Sequence, residues 1–154
     1  MNVLLLPAVA VVLLLPLSTL AAQPAAIFVT SVGAVNGLSD PNKDNQDTVT
    51  DIRNTIRKDR KTLRLVDTRE EALVVLVVLG REAPSQGMPS GLFGLPMRDY
   101  VTRVKLIANG TESELSSSKP GGAGSAGAWR KNAERVAKQV EAWVTTNRAR
   151  LTAP

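Results

Sequence analysis

Apolar residues recur along this chain in blocks of different period, and each period predicts an element. From Val3 to Leu20 the sequence is almost unbroken Val, Leu, Ala and Pro, with no charged side chain. After Pro24, the run Ala26-Ile27-Phe28-Val29-Thr30-Ser31-Val32 is rich in β-branched residues and bounded by Gly33 and Gly37, which predicts a buried first strand. Val49, Ile52 and Ile56, with Thr48 and Thr55, then lie at helical spacing. They predict a helix over about 42–60, capped by Asp40 one residue before Pro41. Leu63, Leu65 and Val66 form a short second strand ending at Asp67. Asp67 with Glu70 and Thr68 with Glu71 are overlapping capping boxes, which predict one helical turn. Leu73 to Leu79 is continuous Leu and Val, the pattern of a central strand.

A Gly/Pro/Ser-rich stretch from Ala83 to Met97 interrupts the pattern. Beyond it, Tyr100, Thr102, Val104 and Leu106 alternate with Val101, Arg103, Lys105 and Ile107. Asn109-Gly110 supplies the two positive-φ positions of a type I′ hairpin turn, and Thr111 to Ser117 returns as a polar edge strand. Lys119 to Ala128 reads as a glycine-rich linker. Trp129, Ala133, Val136, Val140, Trp143 and Val144 then share one helical face over about 128–150, with Arg130, Glu134 and Lys138 on the other side. The order is β-α-β-β-β-β-α. It predicts an α/β (α+β) two-layer sandwich with a mixed five-stranded sheet, strand order 2-1-3-4-5, and a long C-terminal amphipathic helix packed on the sheet.

Residues 1–22 read as a signal peptide: an apolar core followed by small residues at Thr19-Leu20-Ala21-Ala22. A retained membrane anchor is the competing reading, since the segment approaches the ~20 residues that span a bilayer. Residues 23–25 form a linker, and 26–151 a single domain. Of the 154 residues none is cysteine and none is histidine. Without cysteine the exported domain is held by its core and has no thiol to acylate at the cleavage site. Without histidine or cysteine there is no Ser-His-Asp triad, no Cys-His pair and no ordinary zinc site. No cofactor is expected. The product is periplasmic or secreted.

Five patterns carry candidate chemistry. Gly122, Gly124 and Gly127 match G-x-G-x-x-G, but no βαβ unit follows, so a flexible linker explains them. Asp40, Asn42 and Asp44 echo a calcium loop whose glycine is replaced by Asn45, and an acidic helix start explains them equally. Ser116 and Lys119 have the spacing of a serine–lysine pair, placed on a strand end where the two need not converge. Arg57, Lys58, Arg60, Lys61 and Arg64, with Arg53, form the densest basic cluster of a chain with net charge +5. This patch fits an anionic surface, while the lack of interleaved aromatics argues against nucleic acid. Met88, Leu92, Phe93, Leu95 and Met97 sit in a long loop and are the candidate contact surface for a partner. Membrane contact is expected only with the leader uncleaved.

The run Ile27–Val32, then Asp47–Lys61, then Leu63-Arg64-Leu65-Val66-Asp67 with Glu70-Glu71-Ala72 before Leu73–Leu79, resembles bacterial envelope α/β domains such as the TolB amino-terminal domain and curli-secretion-type domains. That resemblance implies an envelope accessory or binding domain, and no functional residue carries over from it. The expected function is an exported, non-enzymatic, envelope-associated domain acting through protein or surface contacts, its partner a protein of the cell envelope. The alternative is a binder of a small molecule, a carbohydrate or an anionic polymer, or a carboxylate-based hydrolase. A pocket lined by converging carboxylates would favour that alternative.

Overall fold

In the computed structural model, which describes residues 23–34, 42–59, 61–82, 98–121 and 126–151, β1 (Ala25–Ser31) leads through α1 (Lys43–Asp59) to β2 (Leu63–Leu65). β3 (Val74–Glu82), β4 (Arg98–Ala108), β5 (Thr111–Gly121) and α2 (Ala126–Leu151) follow. The strands form one sheet in the order β2-β1-β3-β4-β5. β1 is parallel to β2 and β3, and the β3–β4 and β4–β5 pairs are antiparallel. This is the mixed sheet, strand order and helix packing that the periodicities predict.

The core lies between the helices and one face of the sheet. Ile27 and Val29 of β1, Leu76 and Val78 of β3, and Val104 and Leu106 of β4 meet Ile52 and Ile56 of α1 and Val136, Val140 and Val144 of α2. Fully burying an apolar side chain of this size contributes about 1.5–3 kcal/mol, so these positions set the domain's stability. Thr48 and Thr55 fit the apolar stripe of α1 because their hydroxyls donate to the carbonyls of Asp44 and Asp51, at 2.7 and 2.9 Å, and leave no polar atom stranded. On α2, the fully buried Asn132 donates from Nδ2 to the carbonyl of Tyr100 at 2.6 Å and accepts from the Ser117 hydroxyl at 3.4 Å. It fixes how α2 sits across β4 and β5.

Four local expectations are corrected. The cap of α1 is Asn42, whose Oδ1 accepts the Asp44 N–H at 2.9 Å; Asp40 and Pro41 lie outside the described residues. No helical turn follows Asp67. Val66 N–H is bonded to Ile27 O and Leu73 N–H to Ala26 O, each at 3.0 Å, so both ends of this short segment are tied to β1. Within it, Ala72 N–H bonds Arg69 O at 3.1 Å, and Asp67, Thr68, Glu70 and Glu71 lie exposed in bends and a turn. β3 runs on to Glu82, and β5 runs on through Pro120 into the stretch read as linker. Proline is tolerated there because Ala108 faces Thr111 as the closing pair of the hairpin, and counting outward puts Pro120 opposite Asp99 at a non-hydrogen-bonded position. Its missing N–H would have pointed to the free edge.

The hairpin turn is as expected, with φ of 48° at Asn109 and 72° at Gly110. A Cβ added at Gly110 meets nothing within 4 Å, so only backbone conformation opposes a side chain there. Gly110→Ala should therefore cost about 1 kcal/mol, read as a lower urea midpoint with unchanged slope. An unchanged midpoint would show that the turn relaxes to another type. Residues 1–22, Arg60 and the loop residues Met88, Leu92, Phe93, Leu95 and Met97 lie outside the described residues.

Candidate functional site

One irregularity in β3 decides where Arg81 goes. Val78 faces Val104, Gly80 faces Arg103 and Arg81 faces Thr102, so Leu79 is the extra residue of a β-bulge. Strict alternation from Val78 would send Arg81 to the sheet face away from the helices. The bulge resets the alternation, and Arg81 joins Thr102 on the helix side.

There the Arg81 side chain is only 6% exposed, with Nη2 3.5 Å from Asp51 Oδ2. Its guanidinium lies over the indole of Trp129, 4.8 Å from the ring centroid. Trp129 meets Tyr100 edge to face, with centroids 4.9 Å apart and an interplanar angle of 82°. Arg81 Nε has no hydrogen-bond partner among the described residues. Burial pulls the Arg81 pKa below the ordinary guanidinium value, and the fields of Asp51, then Asp44 and Asp47, oppose that pull. A guanidinium stays charged regardless, so the site holds a buried cation that the protein satisfies only in part.

A cleft of about 370 Å³ opens onto this group. Asp44, Asp47 and Asp51 of α1 line it at spacings of three and four, on one helical face, and Trp129 and Arg130 of α2 line it with Arg81. A second hollow of about 440 Å³ shares Asp44 and Arg81 with the first and adds Glu82, Arg103 and Glu114. Of the calcium-like pattern, Asn42 caps α1, Asp44 lies in its first turn and Asp40 lies outside the described residues, and no group of metal-ligating side chains converges among the described residues.

The opposite end of the sheet gathers cations. Ala25 N–H bonds Thr62 O at 2.9 Å, Arg148 donates to the carbonyl of Gln23, and Asn109 Nδ2 donates to the carbonyl of Arg150 at 2.9 Å. These contacts bring together the starts of β1 and β2, the β4–β5 turn and the last turn of α2. Arg57 and Lys58 occupy the last turn of α1, next to Lys61 and Arg64. All four of these cluster residues are exposed, and Arg148 and Arg150 of α2 join them at this end. Arg53 instead points its Nη2 at Asp67 Oδ1, 2.9 Å away. Two helix C-termini ending here account for part of this enrichment, since cations complement the helix dipole.

The free edge of β5 is partly occupied from within. Ser116 and Ser118 fall at non-hydrogen-bonded positions of the β4–β5 ladder, so their carbonyls face outward. The Ser116 carbonyl accepts from Gln139 Nε2 at 3.2 Å, and the Ser118 carbonyl from Arg135 Nη1. Side chains of α2 thereby cover acceptors that an added strand would need. Of the glycine motif, Gly122 and Gly124 lie outside the described residues and Gly127 is in the first turn of α2.

No periodicity marks Arg81, and the spacing of Trp129 marks it only as part of the apolar face of the last helix. The available signal was Gly80, because a glycine ending an apolar strand run marks a bulge.

Fold and cleft together define a two-layer α+β sandwich with a charged cleft where the N-terminal parts of its two helices meet. No protein-family model matches the chain, and no curated protein matches it. Among solved structures it is similar to a variant PelC dodecamer from Paraburkholderia phytofirmans in space group C2, at 16% identity and a TM-score of 0.48, covering 78% of this chain and 88% of that one. It is also similar to the PelC dodecamer of the same organism in space group P6, at 16% identity and a TM-score of 0.45, covering 75% and 86%. Among the described residues no helix is long and apolar enough to cross a membrane.

Proposed function

We propose that this protein is an exported domain of the bacterial envelope that acts without catalysis, through contacts of its surface, and that its basic end docks against anionic lipid headgroups. The observation that carries this reading is the position of the cations. Arg57, Lys58, Lys61 and Arg64, with Arg148 and Arg150, gather at the end where the chain enters β1. In sequence, that entry point follows directly on the uncharged apolar stretch of residues 1–22. A chain leaving a bilayer at Gln23 would present this end to the headgroups first. Each Lys or Arg close to an anionic surface contributes about 1 kcal/mol, so several exposed cations on one end suffice for salt-sensitive binding.

The test is sedimentation of the chain from Gln23 onward, which contains every described element, with phosphatidylcholine vesicles and with vesicles one-quarter phosphatidylglycerol. Binding is expected to the anionic vesicles alone, and about 0.5 M salt should release it. Lys58→Glu with Lys61→Glu should weaken it by about tenfold or more. Equal binding to both vesicles, or a reversed variant that binds unchanged, sinks the reading.

The carboxylates and guanidiniums that together line the cleft favour a second reading, a small-ligand binding protein.

A further inference from the structure

The charges around the cleft are sorted by element. α1 contributes only carboxylates, Asp44, Asp47 and Asp51, whereas β3 and α2 contribute only guanidiniums, Arg81 and Arg130. Opposite charges that line one small space ordinarily close on each other. Here the Arg81–Asp51 contact at 3.5 Å is the ion pair formed, and Asp44, Asp47 and Arg130 make none among the described residues. Complementing the helix dipole explains Asp44 in the first turn of α1, but that effect fades beyond one turn and does not reach Asp47 or Asp51. Nor does it explain why a bulge turns an arginine inward and leaves Nε, on a side chain 6% exposed, without a hydrogen-bond partner among the described residues. A buried cation so incompletely satisfied gains from any anion that enters beside it.

We propose that this cleft binds a small zwitterion of dipeptide size, with its ammonium held by Asp44 and Asp47 and its carboxylate by Arg130 and Arg81. The volume, about 370 Å³, lies in the ordinary range of small-molecule sites and leaves a single small amino acid loosely held. A simple anion would meet three carboxylates, and a simple cation would meet two guanidiniums. A bipolar ligand satisfies both sets at once. Trp129 already lies against Arg81, which restricts where the guanidinium can move before any ligand arrives. This site is at the other end of the sheet from the basic surface, so the two proposals stand or fall separately.

The experiment is isothermal titration of the chain from Gln23 onward with three probes. L-alanyl-L-alanine carries both charges. N-propionyl-L-alanine is the same molecule without the ammonium, and L-alanine N-ethylamide is the same molecule without the carboxylate. The dipeptide is expected to bind with a Kd of about 1 mM or tighter, and each analogue at least about tenfold more weakly. Asp47→Asn and Arg130→Gln alter exposed side chains, so both variants should keep the wild-type melting temperature. Each should weaken the dipeptide by about tenfold; Asp47→Asn should not weaken the propionyl analogue, nor Arg130→Gln the ethylamide, because each removes a charge of the same sign as that probe. If either analogue binds as tightly as the dipeptide, the cleft is a plain anion or cation site and the proposal is overturned. Absence of binding by the dipeptide overturns it as well.

Discussion

Asp51→Ala is expected to destabilise the protein by about 3 kcal/mol, whereas Arg81→Met should be neutral or stabilising. The asymmetry follows from which partner is left behind. With Asp51 removed, Arg81 keeps its charge on a side chain only 6% exposed and loses its ion pair. Removing one partner of a buried pair costs about 3–5 kcal/mol, chiefly through the stranded charge. The low end applies here, because Asp44 and Asp47 still attract the guanidinium and Asp51 itself is 30% exposed to water. Replacing Arg81 by methionine removes the costly group and keeps an unbranched chain against Trp129. Urea unfolding of both single variants and of the double variant measures this directly. The double variant should resemble Arg81→Met, with the loss caused by Asp51→Ala restored. A loss below about 0.5 kcal/mol for Asp51→Ala would mean that Arg81 reaches water unaided and is not stranded.

That pair was also the part of the molecule least legible in the sequence. The strand order was readable because each step has a local cause: Asn109-Gly110 forces the hairpin, and the full apolarity of Ile27–Val29 and Val74–Val78 requires central strands. The face of α2 was readable because its apolar residues repeat over several turns and the structure buries Ala133, Val136, Val140 and Val144. Arg81 follows no such repeat. Its side chain is turned inward by one extra residue, and a bulge leaves no periodic trace, only the glycine beside it. Of the carboxylates of α1, Asp44 alone falls in a recognisable pattern, that of a helix start or a calcium-like loop. Their grouping with Arg81 and Trp129 depends on long-range packing that spacing along one helix does not encode. The turn after Asp67 failed for a different reason, since capping-box residues serve equally well in a short turn fixed at both ends by β1.

Leu76→Ala should cost about 3–4 kcal/mol, and Leu73→Ala less than about 1 kcal/mol, although both belong to one unbroken apolar run. The sequence treats Leu73 to Leu79 as uniform. The structure grades it: Leu73 precedes β3 and is 38% exposed, while Leu76 is fully buried. Leu76 faces Val29 on one side and Leu106 on the other, in the middle of the sheet. Hydrogen-bonded ladders on both flanks hold its neighbours, so they cannot move in to fill the space a leucine leaves. A cavity that cannot collapse places the loss in the upper half of the usual 2–5 kcal/mol for such truncations. At Leu73 water takes the place of the removed methyls, and little is lost beyond a partial transfer term. Thermal unfolding separates the two cases, with a fall of roughly 10 °C expected for Leu76→Ala and roughly 2 °C for Leu73→Ala. Equal losses at the two positions would show that Leu73 is covered in solution. A small loss at Leu76 would show that the sheet yields around it, and the rigid frame that holds Arg81 in its inward position would then be in doubt.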